Sequence, residues 1–195
     1  WEHNNNRGVA KLVKALDFDS SMRRFESFLP SQILECRQAV CIDFNNNKRV
    51  DLENQPLIPA LASFVVRTDR GTTLAKGDAE VHTVEHVLAA LTGLGIDNCL
   101  IYLNGPEMPI LDGSSLPFIE AFENAGTEEL AEEKNYYVIE EPLRFVSNDG
   151  ESEILALPAD DYEVTVMVDY GTNVLGTQNA HLDKMSDFKS EIASS

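Results

Sequence analysis

The chain has 195 residues, and at 43% hydrophobic and 25% charged residues it can bury a sizeable core, which excludes global disorder. Its 33 acidic residues against 15 basic ones give a formal charge of −18, which excludes a nucleic-acid or anionic-membrane surface spread over the whole chain. No apolar stretch approaches the roughly 20 residues needed to cross a bilayer, so no transmembrane segment is expected. The charge is uneven. Residues 1–50 carry eight Lys/Arg and six Asp/Glu, leaving seven basic and 27 acidic residues in 51–195.

Residues 1–39 form an atypical N-terminal segment. Gly8–Ala15 and Arg24–Ser27 back-translate to codons that look like the D-arm and T-arm of a transfer-RNA gene, at about the right offset. Residues up to about Leu29 are therefore a candidate non-native stretch inside this atypical segment. Its ordinary reading is an amphipathic helix over 9–18 with Leu12, Val13 and Leu16 on one face. The first residues, Trp1-Glu2-His3-Asn4, have no secretory-signal pattern. Cys36, Cys41 and Cys99 lack zinc-ribbon spacing and read as reduced thiols of a cytoplasmic protein.

Residues 49–58 alternate as an extended segment broken by Pro56 and Pro59, and Phe64-Val65-Val66 is a short strand candidate. Residues 70–74 and 76–78 are rich in turn formers, and 80–82 lead into a helix. That helix is expected over 83–94, with Thr83 as its N-cap. Val84, Val87, Leu88, Leu91 and Leu94 recur at helical spacing, and Gly93 and Gly95 end it. Residues 98–103 alternate as a buried strand. After a turn at Gly105-Pro106-Glu107, Ser115 can cap a second helix with Pro117 in its first turn. Phe118, Ile119 and Phe122 face its core side, and Gly126 stops it.

An acidic linker follows at 127–134. A second unit, 135–195, then opens with strands at 136–146, 153–157 and 162–170, the first two joined by a turn at Asn148-Asp149-Gly150. Met185–Ala193 begins to look helical.

The chemistry gathers in Thr83-Val84-Glu85-His86. A helix N-terminus presents free amide donors and positive potential, which favours a carboxylate there. From the first turn both Glu85 and His86 can reach a site beyond the helix end. Glutamate with histidine suits a general base paired with a metal ligand, as in water activation by zinc. The pattern is not His-Glu-x-x-His, because the residue four after His86 is Ala90. A Glu-His pair opening a helix is more often plain capping, and Asp112-Gly113-Ser114-Ser115 has the equally plain reading of a turn and a cap.

In longer context, residues 83–98 and 105–118 (Thr-Val-Glu-His…Gly-Leu-Gly-Ile-Asp-Asn, then Gly-Pro-Glu-Met-Pro-Ile-Leu-Asp-Gly-Ser-Ser-Leu-Pro-Phe) closely resemble the UDP-3-O-acyl-N-acetylglucosamine deacetylases of lipid A biosynthesis, the LpxC family. Resemblance extends from about Arg49 to Ser195 and is strongest over 71–126. Residues 50–60 look like members fused to a 3-hydroxyacyl-[acyl-carrier-protein] dehydratase, so a fused or partner dehydratase is an implied partner.

The resemblance implies an α+β fold of two similar domains, each a sheet with two helices, the helices sandwiched between the two sheets. Residues 40–126 would be the first domain, incomplete at its start, and 135–195 the first strands of a second, incomplete one. It implies zinc as cofactor, a UDP-linked acylated glucosamine as substrate, Glu85 as general base and His86 as a zinc ligand. Asp169 and Tyr170, ending a strand, sit where the family contacts the nucleotide; a strand end at a turn is the plain reading of the same pair. The family's remaining ligands belong to a His-Lys-x-x-Asp segment with no counterpart here, since Met185 stands four residues after His181.

The chain is therefore expected to be a fragment of a zinc-dependent amidohydrolase, inactive alone. The hydrolysis would be that of UDP-3-O-(3-hydroxyacyl)-N-acetylglucosamine, the committed step of lipid A biosynthesis. The alternative is a non-catalytic binding or assembly domain that keeps the fold without the active centre.

Overall fold

The order of elements is mixed α+β, and the reason is visible residue by residue. A computed structural model describes residues 35–37, 46–130 and 136–195. Most of the atypical segment 1–39, the amphipathic pattern at 9–18 and part of the acidic linker lie outside the described residues. Contacts divide the chain into two units, one running to Lys134 and including Ala193–Ser195, the other spanning Asn135–Ile192.

In the first unit a four-stranded sheet is built from β1 (Glu35–Arg37), β2 (Asn46–Arg49), β3 (Leu57–Pro59) and β7 (Leu100–Leu103), in the order β1-β7-β2-β3. β7 runs antiparallel to β1 and parallel to β2, with Asn46 opposite Leu100 and Arg49 opposite Leu103. β1 lies near the end of the atypical segment 1–39, beyond the stretch that resembles transfer-RNA codons, and pairs with β7 along its whole length. A second sheet has three antiparallel strands, β4 (Val65–Arg67), β5 (Thr73–Lys76) and β6 (Ala79–Val81). β5 and β6 turn over two residues, Gly77-Asp78, with Gly77 at φ +61°. Such a hairpin needs a left-handed residue there, which glycine supplies without a Cβ clash.

The alternation over 49–58 is corrected: the chain turns between β2 and β3, with Asn54 and Gln55 left-handed. Phe64 belongs to a 3-10 turn (Ala62–Phe64) rather than to the strand that follows. The turn-forming residues at 70–78 instead enclose the β5–β6 hairpin.

Helix α1 spans Glu85–Gly93 and α2 spans Leu116–Ala125, and the two pack together. Val84, Val87, Ala90 and Leu91 are buried, as are Phe118, Ile119 and Phe122. Leu88 and Leu94, expected in the core, are half-buried. With Ile58, Leu74, Val81, Ile101 and Met108 these residues form the core of this unit. Each of the Val, Leu, Ile, Phe and Met side chains contributes about 1.5–3 kcal/mol on leaving water.

The C-terminus of α1 is a Schellman motif. The Ile96 N–H donates to Leu91 O and the Gly95 N–H to Thr92 O, with Gly95 at φ +64°. α2 starts differently from expectation. Ser115 holds the N-cap position without a side-chain bond. The Leu116 N–H donates instead to Ser114 Oγ, 3.3 Å away, so the preceding serine satisfies the helix end.

The second unit contains two hairpins, β8 (Leu143–Val146) with β9 (Glu153–Ala156) and β10 (Val164–Asp169) with β11 (Thr177–Leu182), then a short helix α3 (Phe188–Glu191). Residues 136–142 carry no strand, and β11 was not anticipated. Large apolar residues on these strands, Phe145, Ile154 and Met167 among them, are exposed.

Candidate functional site

Three segments converge on the start of α1. The first is the approach from β6. The His82 N–H donates to Pro106 O at 2.7 Å, and His82 O accepts the Met108 N–H, which ties this strand end to the loop after β7. The His82 ring is engaged on the sheet, with Nδ1 3.1 Å from Thr73 Oγ1 and 3.3 Å from Arg67 Nη2.

Thr83 then adopts φ +60°, a strained backbone for a β-branched residue. Its hydroxyl donates to Glu107 Oε1 and accepts no N–H from the first turn of the helix. The expected N-cap is therefore corrected. Val84 occupies that position without a side-chain cap, and the helix begins at Glu85.

Glu85 sits in the first turn, where the helix dipole favours a negative charge. Its Oε2 accepts the Thr72 N–H at 2.9 Å. The Thr72 carbonyl in turn accepts the Val84 N–H. Oε1 accepts no hydrogen bond from the described residues, and it lies against Gly71. One oxygen of Glu85 is thus fixed and the other open to a proton.

His86 follows on the same turn and makes no side-chain hydrogen bond among the described residues. It is within electrostatic reach of Asp112. That carboxyl is held below the usual aspartate range mainly by the Ser114 N–H and then the Ser114 hydroxyl, each 2.9 Å from Oδ1, with a smaller contribution from His86.

Among the described residues, Arg70, Thr83 and Leu111 are three of the five non-glycine residues with positive φ. Each lies within two residues of Gly71, Glu85 or Asp112. Such strain persists only where the surroundings over-determine it, and it clusters at functional sites.

Asp169 and Tyr170 belong to the second unit. Asp169 closes β10 opposite Thr177, and its Oδ1 accepts the Gly171 N–H. Tyr170 is half exposed, with its N–H bonded to Gly176 O. His181 is held within that unit by Thr165 Oγ1 and Asp183 Oδ1. Among the described residues no three His, Cys, Asp or Glu side chains are grouped to hold a metal ion. Of the described residues His86 alone does not make a zinc site.

Sequence reasoning identified Glu85 and His86 but missed Gly71, Thr72 and Asp112 as their neighbours. The Asp-Gly-Ser run is visible in the sequence, where it reads as a turn and a cap. The Thr72 contribution is a backbone amide, which leaves no trace in residue type.

Residues 33–195 match the family model described as LpxC, UDP-3-O-acyl N-acetylglycosamine deacetylase. The chain belongs to this family. It is similar to the bifunctional enzyme LpxC/FabZ of Bacteroides thetaiotaomicron, with 45% identity over 76% of this chain and 32% of that protein. It is similar also to the enzyme of the same name from Chlorobaculum tepidum, with 54% identity over 69% of this chain and 29% of that protein. The UDP-3-O-acyl-N-acetylglucosamine deacetylase of Myxococcus xanthus is 40% identical over 74% of this chain and 46% of its own length. The chain thus spans about a third of the bifunctional relatives and under half of the deacetylase. The family match begins at residue 33, after the stretch ending near Leu29 whose codons resemble a transfer-RNA gene.

Proposed function

We propose that this chain carries the general-base half of a zinc-dependent deacetylase acting on UDP-3-O-(3-hydroxyacyl)-N-acetylglucosamine, in the cytoplasm, at the committed step of lipid A biosynthesis. The single observation that supports this reading is the state of Glu85, with Oε2 fixed by a backbone amide and Oε1 open at the end of α1. Glu85 takes a proton from the water that attacks the acetyl amide. His86 serves as one zinc ligand. The other ligands and the group that protonates the leaving amine belong to deacetylase sequence outside the described residues. Asp169 and Tyr170 contact the nucleotide.

In this reading residues 40–126 are the first deacetylase domain, 127–134 a linker and 135–195 strands of a second, similar domain, with the helices of both sandwiched between their sheets. A fused hydroxyacyl-carrier-protein dehydratase is the natural partner, in keeping with the names of the bifunctional relatives.

The test is turnover and bound zinc in the full-length product of the gene. Glu85→Gln removes the base and lowers kcat by about 100-fold or more while zinc stays bound; His86→Ala loses zinc. Full activity in Glu85→Gln would overturn the reading.

A further inference from the structure

The geometry points to Gly71 and Thr72 as positioning residues that hold the Glu85 carboxylate in its working orientation, an inference that rests on Glu85 being the base. Two contacts join this dipeptide to the helix start. The Thr72 N–H donates to Glu85 Oε2 at 2.9 Å, and the Thr72 carbonyl accepts the Val84 N–H at 3.4 Å. Both come from one peptide segment at the mouth of β5, whose strand is paired on both edges. The carboxylate is therefore held by a rigid element and not by a mobile side chain.

Gly71 completes the arrangement by what it lacks. A Cβ built there would stand 3.2 Å from Glu85 Oε1, 3.8 Å from Thr83 Oγ1 and 4.0 Å from Glu85 Oε2. At φ +159° the backbone is one that residues with a side chain rarely adopt, so conformation already favours glycine. The space around Oε1, the oxygen that receives the proton, favours it further. A methyl group would fill part of that space and push the carboxylate off the Thr72 amide. Misplacing a catalytic group by about 1 Å can cost on the order of 100-fold in rate.

The experiment compares Gly71→Ala, Gly77→Ala and Glu85→Gln in the full-length product of the gene, measuring kcat, KM and bound zinc. Gly77 is a fitting control, because it also has positive φ but nothing lies within 4 Å of an added Cβ. Gly71→Ala is expected to lower kcat by about 10- to 100-fold with KM and zinc content unchanged, and Gly77→Ala to leave kcat as it was. An unchanged kcat in Gly71→Ala overturns the inference. So does a fall in kcat accompanied by raised KM or lost zinc, which marks a merely structural glycine.

Should Gly71→Ala fail to fold, hydrogen exchange at the Thr72 amide decides. It is expected to be slow in the wild type and in Glu85→Gln, whose amide oxygen can still accept, and fast in Glu85→Ala. Fast exchange in the wild type overturns the inference. Undiminished turnover in Glu85→Gln, by contrast, removes the reading of Glu85 as base and leaves the Thr72 contact standing.

Discussion

The hydroxyl of Thr83 donates to the Glu107 carboxylate across 3.0 Å, joining the residue ahead of α1 to the turn that follows β7. The tie holds a β-branched residue at φ +60°. Thr83→Gly and Thr83→Val both delete the hydroxyl, but only valine keeps the steric conflict of the left-handed backbone. The glycine variant is expected to be more stable than the valine variant by about 1–2 kcal/mol. Urea unfolding of the pair measures this, and equal midpoints would mean that Thr83 is not left-handed in solution.

Arg49 predicts a different kind of loss. Its side chain is buried, with Nε and Nη2 forked onto Asp51 and Nη1 donating to Glu80 O at 2.7 Å. It therefore fastens β2 to β6. Arg49→Met leaves the Glu80 carbonyl without its donor and is expected to cost about 1–3 kcal/mol. Arg49→Lys should recover little, because an ammonium cannot reproduce a planar fork reaching three acceptors. A lysine variant as stable as wild type would count against this geometry.

Asp112 links stability to pH. Its carboxyl titrates below the usual range because the Ser114 N–H and hydroxyl favour the charged form. A group whose pKa is lower folded than unfolded stabilises the fold above its unfolded value, near 3.9, and that contribution disappears as pH falls through the folded value. Wild type should thus exceed Asp112→Asn in stability at pH 7, and the gap should close below about pH 4. A gap independent of pH would show that the charge is not what matters.

Cys99 is a buried cysteine at the entry to β7. Thiol reagents need an exposed thiolate. Its labelling, read by peptide mass, should therefore follow unfolding of the first unit, and Ile101→Val should accelerate it modestly by weakening the core by about 0.5–1.5 kcal/mol. Labelling as fast as a free peptide's would contradict the burial.

The parts of the fold that could be read in advance were those specified by neighbouring residues. The end of α1 needed only Gly95, and the apolar face of α2 only its helical period. The misreadings came from contacts between residues far apart. Thr83 has the residue type of an N-cap, but its left-handed backbone and its bond to Glu107 place it one residue ahead of the cap position. β11, Thr-Gln-Asn-Ala-His-Leu, has no apolar alternation and becomes a strand by pairing with β10. At the site, Glu85 and His86 were legible because their types and positions carry chemistry. Thr72 was not, because any residue except proline offers the same amide.

The parallel pairing of β2 with β7 has a consequence for synthesis on the ribosome. β7 is the inner neighbour of both β1 and β2, so neither of those strands finds that partner until residues 100–103 have left the exit tunnel. Until then only local pairings, such as β2 with β3 and β5 with β6, can form, and the nascent chain holds an unmatched strand edge through the translation of some fifty codons. Long-range pairing of this kind is slow to form and open to misassociation. A translational pause placed before residue 100 should raise the yield of aggregate, and one placed after α2 should not.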